Sequence, residues 1–380
     1  MKNNNKIIII GTVASSFYGF RADLIKQLLN KHYKVYAFTS EYDENQLKKL
    51  EGLGVLPVTY SLNRGGLNPL KDIKATYLLS KKIKEIAPIM VFSYFSKPVI
   101  FGTLAAKLAK VPQVVGMLEG LGYTFTEQPE GLSKRTKVIK NIRVILYKLA
   151  LPQLDKLIFL NPDDPKDLLK KYSIKVKEIQ VLGGIGLDLK KYIYSPVSTV
   201  ELPVNFLFIG RLLKEKGVHD FVSAAKIVKQ KYPESEFTVL GQIDSANPGA
   251  LQQSELEELV STGVINYPGY VDNIQEWIAS SHVFILPSYR EGVPRSTQEA
   301  MAIGRPIITT DVPGCRETVI DGVNGFLVEK WQPQALAEKM IYFIEHPEQI
   351  EKMGLESYKM AQEKFDANTV NKRLLDILGL

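Results

Sequence analysis

The chain has 380 residues, 45% of them hydrophobic, with 48 Lys and Arg against 41 Asp and Glu for a net charge of +7. That much apolar side chain can bury the cores of two domains of ordinary size, and it excludes a disordered or collagen-like protein. The single cysteine, Cys315, allows no internal disulfide, and His32, His219, His282 and His346 have no ligand-like spacing, so a reducing compartment and no structural zinc are expected.

In chain order, the N-terminus leads directly into the apolar run 7–10, too short for a signal peptide's hydrophobic region or a membrane span, and the protein reads as cytoplasmic. Short β-branched runs at 6–10, 35–38, 90–93, 114–116 and 157–160 alternate with longer helical patterns. This is the βαβ rhythm of a parallel sheet with helices on both faces. After the first run, Ser15 or Ser16 is placed to cap the following helix. After the fourth come Met117-Leu118-Glu119-Gly120-Leu121-Gly122-Tyr123, whose glycines also suit an ordinary loop.

Between 131 and 151, Lys134, Arg135, Lys137, Lys140, Arg143 and Lys148 interleave with Val138, Ile139, Ile142, Ile145, Leu146 and Leu149. The pattern is a basic amphipathic helix, and its apolar stripe is expected to face a core. Its basic side also suits an anionic membrane surface. Asp163-Asp164 are adjacent, precede Pro165, and read as a helix N-terminus more readily than as a metal site.

The rhythm breaks at 189–204, a polar stretch with two prolines, and restarts with runs at 205–209, 237–240, 264–267, 283–286, 306–309 and 325–328. Helical patterns at 218–230 and 296–303 fall between them, and 333–345, 347–364 and 368–378 follow as three amphipathic helices. The division is therefore an N-terminal Rossmann-like domain at 1–190, a linker at 191–204, a second such domain at 205–365, and a C-terminal helix at 366–380 expected to pack back on the first. Two doubly wound domains facing each other enclose a cleft lined by the loops that follow the strands. Residues 1–190 hold 30 Lys and Arg against 16 Asp and Glu, whereas 191–380 hold 18 against 25. The basic half could meet nucleic acid, anionic lipid or a phosphorylated substrate. It lacks an evident base-stacking aromatic motif, so nucleic acid is not expected.

Two loops of the second half carry chemistry. The first is Gly210-Arg211-Leu212-Leu213-Lys214-Glu215-Lys216-Gly217, directly after a strand and before a helix. Gly210 permits a tight exit, and Arg211 and Lys216 offer a forked donor and a compact ammonium to a diphosphate. By itself the octapeptide equally fits a solvated charged loop. The second loop runs from Pro287 through Glu291-Gly292-Val293-Pro294-Arg295-Ser296 to Glu299. A helix starting near Ser296 leaves first-turn N–H groups for a phosphate or sugar hydroxyl, with two carboxylates at hand as hydroxyl acceptors. Alternatively Ser296 and Glu299 form a capping box that needs no ligand.

Glu291 and Glu299 within E-G-x-P-x-x-x-x-E-A-M-A, together with Gly210-Arg211 and Lys216 upstream, resemble the donor site of the retaining glycosyltransferases of family 4. Most of 205–330 takes part in this likeness, including the base-binding turn at Val271 and Ile274 and the later loops at 310–325. The resemblance implies the α/β GT-B fold. It implies that Arg211 and Lys216 bind the donor diphosphate, that Glu299 binds the ribose, and that Glu291 contacts the donor sugar. Gly210, Gly292, Val293, Pro294, Arg295 and Ser296 complete the donor loops. Relatives place a glycine pair after the first strand; here only Gly11 and Gly19 could serve, and Gly11 and Thr12 are the donor-site candidates on that side.

Glu119, with the 63–69 segment Asn63-Arg64-Gly65-Gly66-Leu67-Asn68-Pro69, resembles the bacterial subset that extends polyprenyl-diphosphate-linked sugars for capsule, O-antigen or protein glycosylation. N-acetylgalactosamine transferases acting on lipid-linked diacetylbacillosamine belong to that subset. Glu119 is the candidate to orient or deprotonate the acceptor hydroxyl. The implied reaction is metal-independent transfer of a hexose or N-acetylhexosamine from a UDP-linked donor, with no other cofactor, by a protein peripheral to the inner face of the cytoplasmic membrane. A sugar-nucleotide epimerase and a catalytically silent carbohydrate- or nucleic-acid-binding module are the alternatives. No Gly-x-Gly-x-x-Gly opens either half, which speaks against a dinucleotide-dependent oxidoreductase.

Overall fold

The computed structural model describes residues 5–62, 69–197, 203–245, 247 and 249–380. The segment 63–68, and with it most of the Asn63–Pro69 motif, lies outside the described residues, as does 198–202 of the connecting stretch. The chain divides into two compact units, Met1–Thr124 with Ser133–Leu182 and Asn371–Leu380, and Phe125–Leu132 with Gly183–Val370.

The first unit is built on a seven-stranded sheet of order β3-β2-β1-β4-β5-β6-β7. Its strands are β1 (Lys6–Ile10), β2 (Lys34–Thr39), β3 (Leu56–Thr59), β4 (Met90–Tyr94), β5 (Gln113–Leu118), β6 (Lys156–Phe159) and β7 (Ile179–Val181), all parallel. Ile7 to Ile10 are at most 1% exposed, as expected of a central strand covered on both faces. The helices are α1 (Ser15–Phe20), α2 (Ala22–Asn30), α3 (Glu44–Gly52), α4 (Pro69–Ile86), α5 (Thr103–Leu108), α6 (Lys134–Ala150) and the short α7 (Asp163–Pro165). At the start of α7 the side chain of Asn161 accepts from the backbone N–H groups of Asp163 and Asp164 at 3.1 and 2.9 Å, which makes this aspartate pair a capped helix start.

Strands β3 and β7 have no clear apolar run in the sequence. Both are edge strands with half-exposed faces, and β3 contains Pro57, which an edge position tolerates.

The second unit repeats the plan with six parallel strands in the order β10-β9-β8-β11-β12-β13. They are β8 (Asn205–Ile209), β9 (Glu236–Leu240), β10 (Asn266–Gly269), β11 (Val283–Leu286), β12 (Ile307–Thr310) and β13 (Gly325–Val328). Around them lie α8 (Val218–Lys231), α9 (Gln253–Ser261), α10 (Ile274–Ser280), α11 (Arg295–Ile303), α12 (Pro333–Glu345) and α13 (Glu348–Phe365). The final helix, α14 (Ala367–Leu378), begins in the second unit and ends in the first. There Gln113 and Lys156 donate to the carbonyls of Leu378 and Ile377 at 2.9 and 2.7 Å.

The stretch 183–197 is fastened to the second unit at several points. Leu187 exchanges backbone hydrogen bonds with Phe365 and Ala367 at 2.7 and 2.8 Å, and the Ser195 N–H donates to Ile303 O at 3.0 Å. Arg305 completes the attachment. Its side chain is buried and donates to Ile278 O, Ala279 O and Ser195 O at 2.9, 2.6 and 2.7 Å, with longer contacts to Gly304 O and Ile303 O. Apart from that of Ser195, these carbonyls lie at the C-terminal ends of α10 and α11, where helix geometry leaves acceptors without intrahelical partners and the dipole favours a cation. Burial pulls the Arg305 pKa down to about 10, still far above neutrality, so the guanidinium remains charged.

Candidate functional site

In an open parallel sheet a crevice forms where strand order reverses, beyond the carboxyl ends of the two strands that diverge there. In the second unit those strands are β8 and β11. The loops that follow them are the two that carry the charged motifs.

The loops approach each other so closely that glycine is required. Gly217 adopts φ +74° and ends the first loop, and a Cβ there would lie 2.0 Å from the Pro287 carbonyl oxygen at the start of the second. The N–H of Tyr289 donates to Glu215 O at 2.8 Å and clamps the loops together a second time. Beneath the second loop the N–H of Glu291 donates to Pro313 O at 2.9 Å. Gly314, at φ +82°, again leaves no room for a Cβ against the Glu291 and Gly292 carbonyls.

This backbone brings Lys216 and Glu291 into an ion pair with both side chains largely buried. Ser288 donates to the same Glu291 oxygen, Oε1, at 2.7 Å. Arg211 is exposed and pairs with Asp244 at 2.8 Å. Glu215, between the two cations in sequence, points inward and is 7% exposed; burial raises its pKa above the ordinary carboxylate range, although Lys216 and Arg211 pull the other way.

Helix α11 starts at Arg295 with Pro294 as N-cap residue, and no side chain caps it. The capping box between Ser296 and Glu299 does not form, because Ser296 already lies inside the helix. Glu299 is instead 7% exposed and accepts at Oε1 from the Tyr192 hydroxyl at 2.7 Å and from Arg295 Nε at 2.9 Å. First-turn N–H groups of α11, a Lys–Glu pair and a fixed carboxylate therefore converge on the crevice. That arrangement can receive an anion at the helix start and hydroxyls at the carboxylates. Val271 and Ile274, both partly exposed, flank the turn from β10 into α10 in the same unit.

Tyr192, Ser288 and Asp244 also belong to this site, although no motif in the sequence marks them. Ser288 could have been read from its place three residues before Glu291. Tyr192 lies 107 residues from its partner, and no local signal marks it.

The remaining candidates belong to the first unit. The Gly11 N–H donates to Phe38 O at 3.0 Å and its carbonyl accepts from the Tyr60 hydroxyl at 2.7 Å. The Thr12 carbonyl accepts from the N–H groups of Ser40 and Glu41 at 2.9 and 2.8 Å. These contacts stitch the loop after β1 to the end of β2. Gly11 also makes room for Tyr94, whose hydroxyl a Cβ would meet at 2.4 Å. Glu119, after β5, forms an ion pair with the buried Arg21, whose guanidinium lies over the Tyr94 ring. Glu119 is thus positioned by the unit's own buried charge.

On α6, Val144, Tyr147 and Ala150 face the core. The core expectation is corrected for the rest of the stripe: Val138, Ile142, Ile145 and Leu149 are exposed at 58, 38, 57 and 57%. They follow one another at intervals of four, three and four residues, which puts them on one face. Lys134, Arg135, Lys137 and Lys148 of the same helix are exposed too.

Two family models match the chain. One described as glycosyl transferases group 1 covers residues 203–346, and one described as glycosyl transferase 4-like covers 6–161. Over 98% of its length and 98% of the relative's, the chain is 29% identical to the N,N'-diacetylbacillosaminyl-diphospho-undecaprenol alpha-1,3-N-acetylgalactosaminyltransferase of Campylobacter jejuni. It is 26% identical to the capsular polysaccharide biosynthesis glycosyltransferase CapM of Staphylococcus aureus, covering 98% of this chain and 96% of CapM. Among solved structures, Anabaena HepE in complex with UDP and glucose superposes with a TM-score of 0.76 at 18% identity, over 98% of this chain and 99% of HepE, a likeness of fold.

Proposed function

The chain belongs to the group 1 and 4-like glycosyl transferases of GT-B fold, and from that premise we propose that it transfers a hexose or N-acetylhexosamine from a UDP-linked donor to a polyprenyl-diphosphate-linked saccharide, with retention and without a metal. The observation that carries the reading is the convergence of the Gly210–Gly217 and Glu291–Glu299 loops at the strand-order reversal of the second unit. The acceptor class is supported by the Campylobacter relative, which is named for such a lipid-linked substrate and matches along nearly the whole chain. Neither family model nor the relatives named above support the epimerase alternative.

In this reading the donor diphosphate lies across Arg211, Lys216 and the start of α11, Glu299 accepts from the ribose hydroxyls, and Glu291 from the sugar. As the glycosidic C–O bond breaks, negative charge grows on the departing diphosphate. Lys216 and Arg211, each already held by an acidic side chain, and the N–H groups at the start of α11 stabilise it. The acceptor oxygen attacks the same face of the oxocarbenium-like sugar and gives its proton to the leaving diphosphate, so no protein nucleophile is required. Buried Cys315 is no candidate for one, since burial pushes its thiol up to about 12.

Incubation of the protein with labelled UDP-sugars and a bacterial lipid extract tests the reading directly. Transfer to the lipid fraction is expected, and absence of both transfer and donor hydrolysis for every donor would sink it. Because the charge-neutralising groups are side chains and backbone, the rate should be unchanged in excess EDTA; its complete loss there contradicts the metal-free mechanism.

Peripheral membrane association is part of the same proposal. No described helix is long and apolar enough to cross a membrane. The exposed stripe of α6, flanked by lysines and arginine, instead suits shallow insertion at an anionic leaflet, where each basic residue near the surface contributes about 1 kcal/mol. The protein should co-sediment with phosphatidylglycerol vesicles and not with phosphatidylcholine ones. Ile145→Glu with Leu149→Glu should weaken that binding by about tenfold or more without altering donor hydrolysis. Equal binding of the double variant would remove α6 from the contact.

A further inference from the structure

We infer that Tyr192, from the stretch joining the two sheets, is a positioning residue for donor recognition: it fixes the Glu299 carboxylate so that Oε2 is presented to the vicinal hydroxyls of the donor ribose. The inference rests on the assignment of Glu299 to the ribose and adds a residue to it from outside both donor loops.

Three observations carry it. First, the Tyr192 hydroxyl and Arg295 Nε both donate to Oε1 of Glu299, at 2.7 and 2.9 Å. Two donors on one oxygen, themselves in contact with each other, hold the carboxylate in place, and Oε2 is then the oxygen left to accept from a ligand. Second, Tyr192 is 8% exposed, and burial followed by the Glu299 charge raises its pKa further above the ordinary phenol value, so it stays a proton donor. Third, Tyr192 is held in place. Ser195 is tied to α11 by its N–H and to Arg305 by its carbonyl, at 3.0 and 2.7 Å, and the Tyr194 ring packs on Tyr358 at 4.3 Å between centroids. Gly304, the C-cap of α11, adopts φ +94° and has no Cβ where the Tyr194 ring lies, 2.5 Å from that position. The same segment that reaches Glu299 is thus anchored at the far end of the helix that carries Glu299.

A carboxylate with one orienting donor removed still accepts a hydrogen bond, but rotates. Arg295, four residues from Glu299 on the same helix, also lies against the Tyr192 hydroxyl, so removing that hydroxyl loosens both side chains. The Tyr192 hydroxyl therefore bears on discrimination of ribose hydroxyls more than on overall folding or on the diphosphate.

The test measures binding of UDP and 2′,3′-dideoxy-UDP by calorimetry to the full chain as wild type, Tyr192→Phe and Glu299→Gln. Wild type is expected to prefer UDP by about tenfold or more, as for a site that hydrogen-bonds a hydroxyl through a charged group. Tyr192→Phe should weaken UDP about five- to tenfold and leave dideoxy-UDP unchanged, so the preference largely disappears. The unchanged dideoxy affinity is also the control for folding. If Tyr192→Phe weakens both ligands equally, or neither, while Glu299→Gln abolishes the preference, the tyrosine only supports the scaffold and this inference falls alone. A preference that survives Glu299→Gln overturns the ribose assignment and this inference with it.

Discussion

Replacement of Lys216 by alanine should lower kcat/KM for the sugar-nucleotide donor by about 10²–10³-fold, the usual effect of removing one preorganised group that stabilises charge developing in a transition state. The structure explains why the effect should be large. Lys216 is held by its ion pair with Glu291 in a largely buried position, and Gly217 next to it fixes the loop against Pro287. Its ammonium is therefore in place before the donor arrives. The loss should appear mainly in kcat, because the diphosphate carries more negative charge as it departs than in the bound donor. Lys216→Arg should recover only part of the activity, since a planar fork does not replace a compact ammonium beside Glu291. Initial rates with donor varied, alongside a circular dichroism melt, provide the check. A loss below about fivefold with an unchanged melt would remove Lys216 from the charge-stabilising role.

The second large effect concerns stability. Arg305→Ala should destabilise the second unit by about 3–5 kcal/mol, near the upper end for single substitutions. Five backbone carbonyls lie around the guanidinium, three of them at 2.9 Å or less, and none is from a carboxylate side chain. Truncation strips the arginine donor from Ala279 O and Ser195 O, at about 1–3 kcal/mol each where water does not replace it, while Ile278 O keeps the Ser281 donors and Ile303 O the Ser195 N–H; it also opens a cavity. For a unit of this size the melting temperature should fall by about 10 °C. Arg305→Lys keeps a charge but reaches fewer carbonyls, so it should lie between. A melt of Arg305→Ala within 2 °C of wild type would show that water satisfies the site, at about 2–4 °C per kcal/mol. The variant should also weaken UDP binding, because the same guanidinium holds Ser195, and with it the segment that places Tyr192.

How much of this the sequence discloses follows from where each signal resides. The central strands are legible because both faces are buried, and an uninterrupted apolar run such as 7–10 has few other uses. Edge strands β3 and β7 are not, because half of each faces outward and Pro57 reads as a turn residue. Arg211, Lys216, Glu291 and Glu299 are legible as a set because two short loops hold them in fixed order after strands; that these loops meet is a consequence of the strand order, which periodicity does not encode. The capping box at Ser296 was a fair local expectation, overridden because the helix starts one residue earlier, after Pro294. On α6 the spacing reveals apolar residues without showing which face is covered: Val144 and Tyr147 turn inward, while the stripe through Ile142 and Ile145 does not. Tyr192 is illegible for a simpler reason, since its only argument is a contact across more than a hundred residues.

The return of residues 371–380 to the first unit has a consequence for biogenesis. As the chain leaves the ribosome, the first sheet can form once β7 is out, but Gln113 and Lys156 must wait for the carbonyls of Leu378 and Ile377. The whole second unit is synthesised in between. A ribosome-stalled chain ending near residue 225, with β7 clear of the exit tunnel, should therefore hold a native-like sheet with an uncovered patch, open to proteases and chaperones, and a peptide spanning 367–380 supplied in trans should close it.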